Sequence, residues 1–379
     1  MKNIFVRIIK WIFFIVVLSS TAMAVFINLS PTFGGSPDDE SLNNITQSKH
    51  HNGDIFINKM ATEVLTLSED SPSMLEAFSG MFFFADDKNP TQPLPAKKLN
   101  KAALKEGSFT WLGHSTVLFK TSGKVFMTDP VFHSAAPLQF IAQPFLVSES
   151  TTMDDLPTID AILISHDHYD HLDYEAIKVL DAKTKHYYVP LGVKAHLQRW
   201  GVDDKKITEL DWYETVNNEE VAITLTPARH FSGRGIFDRY STLWGSWVIK
   251  SPNVNVYFSG DGGYSPEFKT IGNTYGPFDI AFMENGAYDK DWSQIHLMPE
   301  EAVQAAIDLR AAVLLPIHWG KFDLARHTWR DPIQRMTKEA ERKGIDVATP
   351  IIGKSFTLNL FPKNDWWSQL GQIMSHEPQ

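Results

Sequence analysis

The sequence predicts an α/β fold, and three observations lead to this class. Between Phe109 and Pro362 the chain carries short runs rich in β-branched and aromatic residues, which are typical of strands. Some runs alternate apolar and polar residues, and others are continuously apolar, as strands buried on both faces are. Helical stretches with an apolar face separate several of these runs. Apolar residues make up 43% of the 379 residues, so the chain can build a large core.

The N-terminal segment predicts export. Met1–Lys10 is basic, and the uncharged run Trp11–Leu29 is close to the ~20 residues that cross a bilayer. Ala22-Met23-Ala24 fits the small-x-small pattern of a signal-peptidase site. Because basic residues before the run favour a cytoplasmic N-terminus, both an uncleaved anchor and a cleaved signal export the rest of the chain. We expect the protein at the inner membrane facing the periplasm, held there by residues 11–29, or soluble in the periplasm if the chain is cut after Ala24.

Composition changes divide the chain into four segments. Residues 1–29 form the signal peptide or anchor, 30–108 a linker and N-terminal extension that packs on the core, 109–362 the strand-rich domain, and 363–379 a C-terminal tail. Within the extension, Ser30–Gly53 predicts an extended linker and Ile55–Ala85 has mixed helical periodicity. In the domain, helices are predicted over Tyr174–Ala182, Val193–Trp200, Pro299–Leu309 and Pro332–Lys343, with Asp173 as an N-cap of the first.

Composition also excludes several classes of function. The chain has no cysteine, which excludes disulfides, cysteine nucleophiles and thiolate metal sites. Its net charge of −10 repels phosphate backbones, so we expect no nucleic-acid partner.

The segment His166–His171, with the sequence HDHYDH, carries the strongest chemical signal. It follows the apolar run Ala161–Ile164 and precedes a predicted helix, and strand ends commonly present functional loops. Imidazole and carboxylate groups are good ligands for zinc and its divalent neighbours. In a turn, His166 and His168 can point to one ion, and Asp170 and His171 to another.

Neither pair completes a tetrahedral site, so further ligands are needed. Three candidates lie at the ends of other apolar runs: His230 ends ITLTPARH, Asp261 ends VNVYFSGD and His318 ends VLLPIHWG. Each alone is more typical of a hydrogen-bonded core residue. Together, in one domain, they indicate a metal site.

HDHYDH resembles the HxHxDH signature of the metallo-β-lactamase fold superfamily, and the three downstream residues match its remaining ligand positions in order. The resemblance implies an αββα sandwich with a dinuclear site holding two Zn²⁺, with Mn²⁺ or Fe²⁺ as alternatives. It implies His166, His168 and His230 on one metal. Asp170, His171 and His318 would hold the other, and Asp261 would bridge the two.

Further motifs resemble the branch of N-acylphosphatidylethanolamine-hydrolysing phospholipase D, which also includes proteins similar to the ascorbate-6-phosphate lactonase. The similarity runs from about Phe33 to about Phe361, and only this family suggests a homodimer. Among the matching motifs are WLGHST, TDPVF, SHDHYDHLD, PARHFSGR, SGDGGY and IHWGKF.

The hypothesis for the chemistry is metal-assisted hydrolysis, in which a metal-bridging hydroxide attacks phosphorus or a carbonyl carbon. Asp170 would orient this nucleophile as well as bind metal. The other candidates are His114 and His296 as catalytic groups, Arg229 and Arg234 as substrate-binding groups, and Asp129 and Asp173 as acceptors that fix histidine tautomers. Asp129 has an alternative role, in a turn before Pro130.

Three functions remain open at this point. The leading one is a phosphodiesterase of the N-acylphosphatidylethanolamine phospholipase D type, favoured also by the apolar segment Pro137–Val147, which could enter a membrane interface. The second is a lactone or other carboxylic-ester hydrolase. The third is a non-enzymatic, metal-stabilised lipid-binding protein of the cell envelope.

Overall fold

The domain contains two sheets, and the first takes all its strands but one from the N-terminal half of the domain. The computed structural model describes residues 2–67, 71 and 87–370. The strands of the first sheet are β1 (Ser108–Trp111), β2 (Val117–Thr121), β3 (Lys124–Thr128), β4 (Ala161–Leu163), β5 (Tyr187–Pro190), β6 (Ile207–Leu210) and β14 (Phe356–Thr357). Their order in the sheet is β14-β1-β2-β3-β4-β5-β6.

The strands of the second sheet are β7 (Thr215–Asn218), β8 (Val221–Thr226), β9 (Ser246–Lys250), β10 (Asn255–Phe258), β11 (Phe278–Glu284), β12 (Ala311–Ile317) and β13 (Asp346–Val347). Their order in the sheet is β13-β12-β11-β10-β9-β8-β7. In this sheet β10, β11 and β12 run parallel to one another, as β3 to β6 do in the first sheet.

Helices lie on the outer faces of both sheets. The predicted N-cap is confirmed, because the Asp173 carboxylate accepts a hydrogen bond from the backbone N–H of Ala176 at 3.1 Å. The helices of the described residues are α1 (Lys2–Leu29), α2 (Asp39–Gln47), α3 (Tyr174–Leu180), α4 (Lys194–Arg199), α5 (Glu267–Tyr275), α6 (Pro299–Asp308) and α7 (Asp331–Lys343).

Three apolar layers hold these elements together. The central layer lies between the sheets and includes Trp247 and Phe282. A second layer packs the first sheet against α3 and α4, and a third packs the other sheet against α5, α6 and α7. The predicted αββα sandwich is therefore confirmed. Because the carboxyl ends of parallel strands meet at one edge of a sheet, the loops after β4, β10 and β12 can converge.

The N-terminal extension differs from the sequence prediction. Ser30–Gly53 is not an extended linker, because it contains α2, which begins at the N-cap Asp38. This helix has few apolar residues and depends on tertiary contacts: Ile45 is buried, and the Ser41 hydroxyl donates a hydrogen bond to Glu209 at 2.6 Å. Residues 55–67 are not helical, and the rest of the predicted helical stretch lies outside the described residues, apart from Ser71.

Both chain ends carry apolar residues in different settings. The helical stretch Ile4–Leu29 is long and apolar enough to cross a membrane, and its side chains are not buried in the protein. In the tail, Trp366 and Trp367 are buried in the central layer. Residues 371–379 of the tail lie outside the described residues.

Candidate metal centre

Three imidazoles form the first group of converging donors. Nε2 of His166 lies 2.9 Å from Nδ1 of His168, which lies 3.4 Å from Nε2 of His230. A tetrahedral ion with metal–nitrogen distances of about 2.0–2.1 Å separates its ligand atoms by about 3.4 Å. The three nitrogens therefore have the spacing of ligands to one cation. The other nitrogen of His230, Nδ1, donates to the carbonyl of Ile295 at 2.8 Å, which turns its Nε2 lone pair toward the group.

A second group lies beside the first. Nε2 of His318 is 3.1 Å from Nε2 of His171 and 3.3 Å from a carboxylate oxygen of Asp170. Oδ2 of Asp261 lies 2.9 Å from His318 Nε2 and 3.1 Å from His171 Nε2. The same oxygen is 3.9 Å from Nε2 of His230, so it lies between the two groups.

Asp129 fixes the orientation of two of these rings. Nδ1 of His171 donates to Asp129 Oδ2 at 2.6 Å, and the Ser165 hydroxyl donates to the same oxygen. That hydroxyl in turn accepts from Nδ1 of His166 at 2.9 Å. Both histidines consequently present the lone pair of Nε2 to the centre of the site. The interpretation of Asp129 as a turn residue only is wrong.

The donor set fits divalent cations. Burial lowers the pKa of His166 and of His230, which keeps both imidazoles neutral and able to ligate. Burial opposes protonation of His318, but Asp261 and Asp170 raise its pKa to about 10, so the two carboxylates attract a positive charge. Within the described part of the chain, the buried atoms Asp261 Oδ1 and His318 Nδ1 have no hydrogen-bond partner. Neutral imidazoles and carboxylates without a thiolate suit zinc, manganese or iron.

His114 joins the second group. Its Nε2 donates to a carboxylate oxygen of Asp170 at 3.2 Å. Burial, together with the adjacent His318, lowers the pKa of His114 to about 3, so the ring is a neutral donor. His114 and His318 both have positive φ, at +52° and +66°, and their loops pair: the His318 N–H donates to the His114 carbonyl at 3.0 Å. Such backbone strain persists where the surroundings fix it, as at functional sites.

His296 lies at the outer side of the centre and is held by a residue that the sequence analysis missed. Glu284, the last residue of β11, is fully buried and accepts from His296 Nδ1 at 2.6 Å. It also accepts from the backbone N–H groups of Gly262 and Leu297. A signal was present, since Glu284 ends an apolar strand just as Asp261 does.

Three predicted residues lie elsewhere. Arg234 is buried, and its guanidinium donates to the carbonyls of Thr32, Asp167 and Leu172, so it supports the loop from behind instead of facing a substrate.

Arg229 donates to Thr62, Ala61 and Gln294, which ties the extension to the domain. The carboxylate of Asp173 accepts from Nδ1 of His133 at 2.9 Å and from the α3 backbone, and it fixes none of the seven predicted ligands. Polar side chains near a motif in sequence can point to opposite faces of a loop, which explains why these three residues have partners outside the donor groups.

The mouth of the centre is largely apolar. A cavity of about 290 Å³ opens onto the donor groups. Its polar lining is His168, Asp170, Asp261, His296 and His318, and its apolar lining is Val64, Leu65, Phe231, Ala287, Trp292, Ile295 and Leu324. Such a cavity accepts a polar reacting group that carries an apolar substituent.

Known proteins are similar to this chain in sequence. The beta-lactamase superfamily domain matches residues 125–319. The uncharacterized protein Rv0906 of Mycobacterium tuberculosis is 36% identical over 330 residues, which cover 85% of this chain and 88% of that protein. The N-acyl-phosphatidylethanolamine-hydrolyzing phospholipase D 1 of Caenorhabditis elegans is 38% identical over 229 residues, or 57% of this chain and 64% of that protein.

Solved structures also share the fold. The isothiocyanate hydrolase from Delia radicum gut bacteria superposes with a TM-score of 0.52 at 17% identity, and the match covers 66% of this chain and 98% of that one. At this identity the likeness establishes the architecture.

Proposed function

We propose a function from the premise that this chain belongs to the metallo-β-lactamase superfamily, in the branch of the N-acylphosphatidylethanolamine-hydrolysing phospholipases D. The chain is a metal-dependent hydrolase. Beyond that, we propose that it is a phosphodiesterase with two zinc ions, acting on membrane lipid of the N-acylphosphatidylethanolamine type. The observation that carries this proposal is the apolar mouth over two adjoining groups of metal donors.

Each residue of the centre has a distinct role in this proposal. His166, His168 and His230 would hold one ion, Asp170, His171 and His318 the other, and Asp261 would contact both. When bound, the ions would activate a water molecule and neutralise the charge that develops on the phosphoryl oxygens. His114 donates a hydrogen bond to Asp170 and so fixes the carboxylate that orients the water.

His296 and Glu284 would serve the leaving group. Nδ1 of His296 donates to the buried carboxylate of Glu284, and His296 also lines the mouth. The Glu284 carboxylate holds the ring in this orientation beside the mouth. His296 would transfer a proton from Nε2 to the leaving oxygen. No serine or cysteine nucleophile is needed in this reaction.

A membrane substrate agrees with the N-terminal helix. We propose that α1 anchors the protein in the inner membrane with its domain in the periplasm. Residues 30–108 then form an extension on the domain 109–362, and 363–379 form the tail. An anchored hydrolase meets lipid at a high local concentration, so its mouth needs only to bind the headgroup ester and the adjoining apolar chain.

Product mass spectrometry tests this proposal. Zinc-loaded full-length protein would be incubated with N-acylphosphatidylethanolamine in mixed micelles, beside H171A and the matched control H51A. His51 lies outside the centre and packs against Phe56, so its loss should leave activity intact. We expect phosphatidic acid and N-acylethanolamine from the wild type and H51A, and neither product from H171A.

Three results would contradict the proposal. One is the absence of products from a folded, metal-replete wild type. A second is rapid hydrolysis of lactones or carboxylic esters without lipid turnover, which would favour the alternative ester hydrolase. The third is a cellular role that survives in H171A, which would favour the lipid-binding alternative.

A further inference from the structure

The segment that leaves α1 is fixed to the domain by donors from the exposed Arg199 and from the buried Trp200 and Arg234. Nη2 of Arg199 donates to the carbonyls of Asn28 and Ser30 at 2.8 and 3.3 Å. Nε1 of Trp200 donates to the carbonyl of Pro31 at 2.7 Å, and Nε of Arg234 to that of Thr32 at 3.0 Å. Successive carbonyls held in this way leave little freedom for the chain, so the end of α1 has a defined position relative to the domain.

Aromatic contacts continue this attachment to the metal loop. The ring of Phe26 in α1 lies 5.5 Å from that of Phe33, which lies 6.4 Å from the ring of Tyr169. Tyr169 stands between His168 and Asp170 in the chain. The helix end is therefore docked behind the loop that carries the predicted metal ligands.

A second apolar element faces the last turns of α1. The loop Gly235–Asp238 presents Ile236 and Phe237 to solvent, with 62% and 97% of their surface exposed. The loop is closed by its own hydrogen bonds, since Asp238 accepts from the N–H of Gly235 at 2.7 Å and the Tyr240 N–H donates to the Ser232 carbonyl at 3.0 Å. It therefore displays both side chains outward from a defined turn.

The exposed side chains of this loop lie across a cavity from the C-terminal part of α1. A cavity of about 920 Å³ separates the loop from α1, and its α1 wall runs from Ser19 to Asn28. At 1.5 Å per residue this wall spans about 14 Å along the helix. The uncharged run Trp11–Leu29 matches the ~30 Å hydrocarbon core, so Ser19–Asn28 falls within the leaflet on the C-terminal side of α1. Single exposed apolar residues are ordinary on a soluble surface, but these face a stretch of helix at leaflet depth.

We propose that Ile236 and Phe237 insert into the same leaflet as the C-terminal half of α1, and that lipid acyl chains fill the cavity between them. This inference rests on the proposed anchor. It makes the protein a two-point membrane binder with a fixed orientation. The loop follows the centre along the chain: His230 precedes Phe237 by seven residues, which span at most about 25 Å.

Single labels at three positions test the inference, because the chain contains no cysteine of its own. Full-length V17C, F237C and L360C would each carry an environment-sensitive fluorophore in nanodiscs of phosphatidylethanolamine and phosphatidylglycerol. Doxyl-labelled lipids would serve as quenchers. Position 17 lies in α1 and reports the anchor. Leu360 is 83% exposed beside β14, the edge of the first sheet opposite β6, so it is a matched apolar control.

We expect quenching at position 237 comparable with that at 17, and none at 360. Quenching at 17 without quenching at 237 would overturn the loop insertion and leave the anchor intact. An absence of quenching at 17 would overturn the anchor and the insertion together. Equal quenching at 237 and 360 would show non-specific adsorption and would also overturn the inference. All three substitutions are at exposed positions, and circular dichroism would verify folding.

Discussion

Nδ1 of His171 donates a hydrogen bond of 2.6 Å to Oδ2 of Asp129, and both side chains are fully buried. Asp129 is not a predicted metal ligand, yet it determines which nitrogen of His171 carries the proton. The charge of a buried carboxylate also increases the basicity of the ring that it holds. Asp129 is therefore a positioning residue for the metal centre.

The first prediction is that D129N weakens metal binding by about 10- to 100-fold. Asp129 accepts from the Ser165 backbone N–H through one oxygen, and from the Ser165 hydroxyl and His171 through the other. An asparagine side chain replaces one carboxylate oxygen by an NH₂ group, which is a donor. This group would face either the Ser165 backbone N–H or the Ser165 hydroxyl and His171 Nδ1, which are donors themselves. Metal content after dialysis against a graded chelator measures the change.

D160N is the matched control for this variant. Asp160 accepts from the backbone N–H of Val125 at 2.8 Å and pairs with Lys185, away from the centre. Its replacement should leave metal content unchanged. Equal metal affinity in D129N and the wild type would show that the carboxylate does not control the His171 ring.

The second prediction concerns Glu284 and His296 as a coupled pair. General acid catalysis commonly contributes about 10²- to 10⁴-fold, so H296Q should lower kcat by this order with little change in KM and in metal content. E284Q should lower kcat less, because it removes only the carboxylate behind the ring. In the double variant the two losses should not multiply, since both act through one proton donor.

E301Q provides the comparison for this pair. Glu301 is a half-buried carboxylate that, like Glu284, accepts a backbone hydrogen bond, in its case from Met298 at 3.0 Å, but it caps α6. Its activity should match that of the wild type. Multiplicative losses in the double variant would contradict the coupling, and a loss of bound metal in H296Q would assign His296 to metal binding instead.

The sequence predicts elements that have an apolar pattern of their own better than elements that depend on contacts with distant residues. Strands with continuous apolar runs and helices with an apolar face were predicted within a few residues, as Pro299–Leu309 illustrates against the observed Pro299–Asp308. By contrast, α2 has the sequence DESLNNITQ and owes its helix to a cap and to contacts with distant residues. Local periodicity cannot report such contacts, so α2 was predicted as linker.

The same distinction applies to the site. Donors at strand ends were found because alignment of parallel strands brings those ends together, and all seven predicted ligands lie in adjoining groups. The direction in which a side chain points within a loop could not be predicted from the sequence. Arg234 follows His230 by four residues but faces the back of the metal loop, and only the fold shows that its partners are carbonyls of Asp167 and Leu172.

The third prediction is that R234M destabilises the protein by about 3 kcal/mol. Two buried charge-assisted hydrogen bonds from Nη1, at 2.6 and 2.8 Å, are lost at about 1.5 kcal/mol each. The stacking of Arg234 on Tyr169 at 4.2 Å is lost as well. Thermal unfolding in detergent should show a clear decrease in Tm. R239M is the control, because Arg239 is exposed in the same loop and its loss should change stability by no more than about 0.5 kcal/mol.

The last prediction is a pH dependence of stability at His133. The hydrogen bond to Asp173 raises the pKa of His133, against the opposing effect of burial. Folding therefore favours the protonated ring, and this stabilisation is fully present below the unfolded pKa of about 6.5 and is lost as the pH rises through the folded pKa. The side chain is 35% exposed, so the contribution stays below about 1 kcal/mol. Replacement by H133Q should consequently lower Tm more at pH 5.5 than at pH 9, as followed by circular dichroism.

His186 supplies a control of opposite sign for this measurement. Burial lowers the pKa of His186, whose Nε2 meets the hydroxyl of Thr208 at 2.8 Å. Folding therefore favours the neutral ring, so protonation costs stability as the pH falls below about 6.5. H186Q removes that penalty, and its Tm relative to the wild type should be higher at pH 5.5 than at pH 9. If both variants changed in the same direction with pH, the dependence would belong to another group, and the His133–Asp173 pair would not contribute as argued.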